Sequence, residues 1–177
     1  MNNKGGFTAA DVVNSYSSEE LCRVFRDYGE LANAYNIAKV LIAKQEEGIF
    51  STSDLMNVLA KCAPRGKENK FFAKVFQALR IEVNREMDCL KKMLEQCGRL
   101  MAPGARLVVM SYHSLEDRIV KNFMKTGNCD GKVEKDFYGN VITGFEQITR
   151  KPITAKDEEL ERNPRSRSAK LRIAQKK

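Results

Sequence analysis

The chain has 177 residues, of which 42% are hydrophobic and 31% charged, with a net charge of +8. That is enough for one ordinary domain, or for a small domain joined to part of another, each with a real core. No apolar run approaches the roughly 18 residues of a membrane span, the segment Met1 to Gly6 has no apolar stretch of the secretory kind, and the surplus of cations favours a polyanionic partner.

The first half reads as helices. Thr8 with Asp11 forms a capping box for a short helix through Val12 and Val13, and Ser17 with Glu20 repeats the device. The second helix carries Leu21, Val24, Phe25 and Tyr28 on one face and stops at Gly29. A third places Leu31, Ala34, Tyr35, Ala38, Leu41 and Ile42 at helical spacing and ends at Gly48. Ser51 with Asp54 opens a fourth, with Leu55, Val58 and Leu59 inward and Pro64 beyond its end. After the polar loop Arg65 to Asn69, one long helix is predicted from about Phe71 to Cys97, with Gly98 as its stop. The face carrying Phe25, Tyr28 and Tyr35 is read as core rather than as a base-stacking platform, because three- and four-residue spacing is the ordinary signature of packing.

The pattern then changes. Leu100 to Gly104 is a turn, Arg106 to Met110 a buried strand, and Ser114 with Asp117 caps a helix carrying Leu115, Ile119, Val120 and Phe123. That is a strand–turn–helix unit of the α/β kind. Thr126 to Gly144 reads as an exposed loop or weak hairpin. Phe145 to Arg150 and Ser168 to Ala174 read as two strands, with a short acidic helix, Thr154 to Glu161, between them. A doubly wound sheet needs about three βα units before that point, at roughly 30 residues each, so periodicity alone points to a missing N-terminal portion. The five cysteines (Cys22, Cys62, Cys89, Cys97, Cys129) are never spaced C-x-x-C and His113 is the only histidine, which argues against a zinc site and for reduced, cytoplasmic thiols.

Six strings together resemble the ribosomal RNA small subunit methyltransferase H family. They are Phe7-Thr-Ala-Ala-Asp-Val-Val-Asn14, Phe76-Gln-Ala-Leu-Arg-Ile-Glu-Val-Asn84, Leu100-Met-Ala-Pro-Gly-Ala-Arg-Leu-Val-Val109, Ser111-Tyr-His-Ser-Leu-Glu-Asp-Arg-Ile-Val-Lys121, Thr149-Arg-Lys-Pro-Ile-Thr154 and Asn163-Pro-Arg-Ser-Arg-Ser-Ala-Lys-Leu-Arg172. The resemblance implies a mixed α/β, mostly helical chain: a helical substrate-recognition insert over 1–68, then a connecting helix and the C-terminal part of a class I (Rossmann-like) methyltransferase sheet over 69–177. Arg106 to Met110 would be the sheet's fifth strand and the last two strands would complete its far edge. The implied activity is S-adenosylmethionine-dependent methylation of the exocyclic amine of a cytosine in the decoding region of 16S rRNA.

The departures from the family pattern matter as much. The donor motif, Asp-Gly-Thr followed by a glycine run and His, does not occur, nor do the acidic residue after the second strand and the Asp-rich segment of the fourth. Those family positions lie upstream of Met1, which resembles an internal methionine just before the insert. No cofactor-binding residue and no metal ligand is therefore carried over, and the expectation is a C-terminal fragment that neither binds the donor nor turns over alone. Tyr112 stands where the family has Phe, Ala105 where it has Gly, and Ala34-Tyr-Asn-Ile37 replaces a more arginine-rich stretch.

Methylating a cytosine amine requires alignment with the methyl donor, an acceptor for the proton, and a base taken out of its stack. Ser111, Tyr112, His113 and Ser114 sit at the carboxyl end of a strand, where such pockets form. His113 is the candidate for the base edge and Tyr112 for stacking. The competing reading is that Ser114, Glu116 and Asp117 cap the helix and Arg118 pairs with a carboxylate. The tail cations Arg162, Arg165, Arg167, Lys170 and Arg172 are the RNA-phosphate candidates, Arg165 and Arg167 foremost, against the alternative of a basic, solvated edge strand. Small-subunit rRNA is the expected partner. A non-catalytic RNA-binding module, or a homodimer paired through an exposed sheet edge, stands as the alternative.

Overall fold

The structure, a computed structural model, describes residues 6 to 177; the reading of the residues before Gly6 lies outside them. The chain divides into two compact units, the first ending at Glu86 and the second running Met87–Lys177.

The first unit is helical: α1 (Ala9–Ser15), α2 (Ser18–Asp27), α3 (Ala34–Ile42), α4 (Thr52–Leu59) and α5 (Glu68–Asn84). All three capping boxes form. Thr8, Ser17 and Ser51 accept from the backbone N–H three residues on, while Asp11, Glu20 and Asp54 accept from the N–H of the cap. Two orphan donors per helix end are thereby satisfied, which is why these short helices start where they do. Their apolar faces meet in one core of Val12, Leu21, Val24, Phe25, Ile37, Leu41, Leu59 and Val75. Polar clips tie the layers together. Asn14 exchanges two hydrogen bonds with the backbone of Ile49, each 2.9 Å. Glu82 of α5 accepts from Tyr16 Oη at 2.9 Å and from Arg23 at 2.8 Å.

Two expectations fail here. Tyr35 is 71% exposed. The buried face of α3 is Ala34, Ile37, Ala38 and Leu41, and Tyr35 lies about 100° around the helix from Ala34. The long helix is also broken. Arg85 takes a left-handed conformation (φ 51°, ψ 39°) and closes α5, with its N–H donating to Glu82 and Ile81 carbonyls. A new helix, α6 (Glu86–Leu100), starts at once. Gly98 lies inside α6 rather than ending it. A Cβ there would come within 3.1 Å of Phe123 Cζ, so the glycine eases close packing of α6 against that ring and does not end the helix.

The second unit contains β1 (Arg106–Ser111), α7 (Ser114–Thr126), β2 (Phe145–Gln147), α8 (Asp157–Arg162) and β3 (Lys170–Lys176). The strand order is β1-β3-β2 and both pairings are antiparallel, so the last strand of the chain lies between the other two. Ser111 faces Lys170 and Val108 faces Ile173 in the register. Leu94, Leu107, Val120, Phe123, Met124, Phe145 and Ala174 form the core. The three strands match expectation in place but not in length. The 3-10 turn Pro164–Ser168 takes up the start of the last strand. Ile148 and Thr149 both donate to the Ile173 carbonyl, ending the regular ladder of β2 at Gln147. The acidic helix begins at Asp157 rather than Thr154. The chain is thus mixed α/β, mostly helical, with a small antiparallel sheet.

Candidate nucleic-acid interface

The carboxyl end of β1 runs straight into α7. His113, extended at φ −136° and ψ 162°, is the N-cap, and its Nδ1 accepts from the Glu116 N–H at 3.5 Å. Glu116 reaches back, its Oε2 accepting from the Tyr112 N–H at 3.0 Å. The cap expected from Ser114 with Asp117 therefore lies one residue earlier, as His113 with Glu116. His113 Nε2 lies 3.3 Å from Glu116 Oε1 but out of line for a hydrogen bond, and among the described residues it is the buried side-chain polar atom without a partner.

The shifted cap frees Asp117 for another task. It is buried at the first turn of α7, 7% exposed, and Arg172 of β3 grips it with two hydrogen bonds: Nε to Oδ1 at 2.6 Å and Nη2 to Oδ2 at 3.1 Å. Lys170 Nζ adds a contact at 3.4 Å. Burial pushes the Asp117 carboxyl up, but the Arg172 hydrogen bonds and charge, reinforced by Lys170, outweigh it and hold the group below the usual carboxylate range. Arg172 is only 5% exposed, so it is corrected from phosphate contact to structural partner. Lys170 is half-buried beside it.

On the other side of β1 lies a groove of about 480 Å³, walled by Met110, Tyr112, Ile153, Asn163, Arg165 and Leu171, with Thr154, Glu159 and Ser166 also on it. It brings two predicted residues, Tyr112 and Arg165, to one surface. Tyr112 is 57% exposed. Ser111, His113 and Ser114 do not line it; Ser111 is buried, with its hydroxyl donating to the Lys170 carbonyl at 3.4 Å. Arg162 and Arg167 are exposed outside the groove, Arg162 donating to the Glu158 carbonyl at 3.1 Å. Thr154, Glu159, Asn163 and Ser166 were not foreseen as site residues. Their signal was the Asn163-Pro164 turn, which folds the tail so that Ser166 Oγ donates to the Asn163 carbonyl at 2.7 Å.

Charge divides unevenly between the units. Residues 87–177 hold 19 lysines and arginines against 12 acidic residues, a net of +7, whereas residues 6–86 hold 11 of each. The cationic surface that an anionic polymer would sense is therefore that of the second unit. Among the described residues no helix is long and apolar enough to cross a membrane.

The described residues do not fit a sulfonium methyl donor. An adenosine moiety needs a glycine turn allowing close backbone approach and a carboxylate for its ribose. Asp117, the buried carboxylate of this unit, is already saturated by Arg172 and Lys170. Glu116 is engaged with Tyr112. Gly104 precedes β1 instead of following it, and Gly127 is the C-cap of α7. No step through the donor is assigned to these residues.

Comparison with known proteins bears on the same surfaces. The model of the MraW methylase family matches residues 1–177. The ribosomal RNA small subunit methyltransferase H of Parabacteroides distasonis is 55% identical over 177 residues, covering 99% of this chain and 58% of that protein. The protein of the same name from Phocaeicola vulgatus is 53% identical over 178 residues, covering 100% and 59%. That from Cytophaga hutchinsonii is 50% identical over 169 residues, covering 95% and 56%. The chain thus spans less than three fifths of the length of these relatives. The match includes the strand–cap–helix around His113 and the folded tail, and on it the chain belongs to the MraW methylase family.

Proposed function

We propose that this chain is the RNA-recognising and base-presenting part of an S-adenosylmethionine-dependent methyltransferase acting on the exocyclic amine of a cytosine in the decoding region of small-subunit rRNA. The observation that carries the reading is its identity of half or more, over its whole length, with proteins named ribosomal RNA small subunit methyltransferase H. In this reading the donor belongs to the stretch those relatives have outside the match, and the isolated chain does not turn over. The three strands are then the far edge of a class I, Rossmann-like sheet. The helices read from the sequence as an insert over 1–68, with α5 packed on them, are the substrate-recognition module, acting in the cytoplasm.

The roles follow from chemistry. A cytosine out of its stack offers a face to Tyr112 and acceptor atoms on its ring edge. His113 stays the candidate for the base edge through its buried, unpartnered Nε2, but it lies off the Tyr112 groove, so in this reading the surface that brings a base edge to it is completed only in the whole enzyme. Arg165 neutralises a neighbouring phosphate, with Arg162 and Arg167 extending the track.

A second reading has its own observation. β1 is an edge strand, and Val108 and Met110 on its outer face are 54% and 52% exposed. Such an edge invites strand pairing, so self-association is expected when nothing covers it.

Labelled methyl transfer from S-adenosylmethionine to small-subunit rRNA tests the division of labour: the chain alone is expected to be inactive, and unaided transfer overturns it. Calorimetry is expected to show no heat with the donor, and anisotropy a salt-dependent binding to an rRNA fragment; no RNA binding removes the recognition role. In a complete relative, the substitution equivalent to His113→Ala is expected to lower turnover. Unchanged turnover removes His113 from the pocket. A mass that grows with concentration in light scattering favours self-association.

A further inference from the structure

We propose that the hairpin tip around Phe137 and Tyr138 is an aromatic finger on which unpaired RNA bases stack, a contact separate from the groove beside Tyr112. The inference rests on the reading that the partner is rRNA. The tip is a built turn. Lys135 and Val141 pair as an antiparallel bridge, and Ile142 N–H donates to the Glu134 carbonyl at 2.8 Å. Gly139, at φ 85°, donates to the Asp136 carbonyl at 3.0 Å. The Asp136 side chain then locks the loop from inside. Its Oδ1 accepts from the N–H of Tyr138 at 2.9 Å and of Asn140 at 2.8 Å, and its Oδ2 accepts from Asn140 Nδ2 at 3.1 Å. At the base of the hairpin, the Asn128 side chain bonds both the N–H and the carbonyl of Lys132.

On this fixed turn the two rings point at solvent. Phe137 is 98% exposed and Tyr138 86%, edge to face with centroids 5.7 Å apart. A phenylalanine left almost wholly in water on an ordered turn is unusual for a side chain that folding normally buries. Stacking under a base removes that surface from water at little entropic cost, because the turn is already set. Nucleobases are favoured as the occupant by the surroundings. Lys132 and Lys135 flank the tip and are balanced there by Glu134 and Asp136, so the attraction for a polyanion comes from the second unit as a whole, at +7, while the exposed aromatic faces supply the stacking that binds unpaired bases irrespective of sequence. Duplex RNA, whose bases are already stacked, offers the finger nothing comparable.

The chain has no tryptophan, so Phe137→Trp installs a single tryptophan at the tip, excited selectively at wavelengths its five tyrosines do not absorb. Its emission is followed during titration with an oligouridylate strand, with an RNA duplex of equal length, and with phosphatidylglycerol vesicles, while labelled-strand anisotropy reports binding independently. Quenching is expected with the single strand, in step with anisotropy, and little with the duplex. The Phe137→Ala, Tyr138→Ala double variant is expected to bind the single strand about tenfold or more weakly with an unchanged salt slope, and Phe137→Tyr to restore most of the affinity. Full-strength binding by the double alanine variant, without quenching in the tryptophan variant, overturns the finger and leaves the rRNA reading intact. Absence of any RNA binding by the unaltered chain overturns both. A response to vesicles and not to RNA assigns the tip to lipid and overturns the inference.

Discussion

Arg172 and Asp117, 55 residues apart in the sequence, form a two-point ion pair that fastens the middle strand of the sheet to the first turn of α7. Their side chains keep only 6% and 11% of their surface exposed. Fixing β3 against α7 also fixes where β1 ends, because Ser111 pairs with Lys170, two residues before Arg172. The pair therefore sets the position of the His113 cap and the Tyr112 side of the groove without touching either.

Removing Asp117 leaves Arg172 buried without a counter-charge, and removing Arg172 leaves buried Asp117 only the longer contact with half-exposed Lys170. Arg172→Met is expected to cost about 3–5 kcal/mol of stability in urea unfolding, and Asp117→Leu combined with Arg172→Met to cost clearly less than the single change. Acid acts in the same direction. A carboxyl depressed in the folded state contributes stability that is fully present above its unfolded value, near 3.8, and is lost as pH falls through the lower folded value. The unaltered chain is thus expected to lose this contribution only below about pH 4. In Asp117→Leu, Arg172→Met that part of the acid limb is expected to be missing; an identical limb would remove Asp117 from the account.

What could be read in the sequence was local. Thr8 with Asp11, Ser17 with Glu20 and Ser51 with Asp54 are each three residues apart, and the cap is decided within that span, so all three helix starts were legible. The order of the strands' appearance was legible from the apolar runs. The Asp117–Arg172 pair was not, because nothing local distinguishes a buried carboxylate from the acidic residues usual in a first helical turn. The cap at His113 was missed for a related reason: Ser114 is the better capping residue by type, but the chain leaves β1 one residue too early for it. Of the groove wall, Tyr112 and Arg165 were named in the sequence, each as part of a different candidate site. The rest of the groove wall required the fold of the tail, which no periodicity encodes.

The break between α5 and α6 carries its own prediction. Apolar spacing runs unbroken through Val83 and Met87, and no glycine or proline marks the junction. Arg85 nonetheless sits in the left-handed region that glycine occupies without penalty, and its side chain is exposed. Arg85→Gly is expected to stabilise the chain by about 0.5–1 kcal/mol, read as a higher urea midpoint with an unchanged slope. A fall in the midpoint would mean that the Arg85 side chain contributes more than its backbone costs.

The cysteines should react in an order set by burial. Cys89 is exposed, Cys22 and Cys97 half-buried, and Cys62 and Cys129 buried. Burial raises the thiol of Cys62, and burial with the nearby charge of Glu95 raises that of Cys129, so both offer little thiolate near neutrality. With a chromogenic disulfide at pH 8, Cys89→Ser is expected to remove the fastest phase. Cys62 and Cys129 should react only at the rate of opening, accelerating in urea. Early labelling of Cys129 would show that the core under α7 opens on its own.

The salt dependence of RNA binding separates cations that grip phosphate from those that hold the fold. Each arginine that neutralises one phosphate releases up to about one counterion, so its loss should lower the log–log salt slope by about 0.7 on an unpaired strand and up to about 0.9 on a duplex. Arg165→Ala and Arg167→Ala are each expected to reduce the slope by about that amount, Arg162→Ala by no more, and their effects to add if the residues do not share a phosphate. Arg172 lies inside the sheet with its guanidinium occupied by Asp117, so it releases no counterion in the folded chain. Arg172→Met, measured where it remains folded, is expected to leave the slope unchanged. A slope reduced by Arg172→Met and untouched by Arg165→Ala and Arg167→Ala would place the RNA track elsewhere on the +7 unit and reduce the tail to a solvated edge.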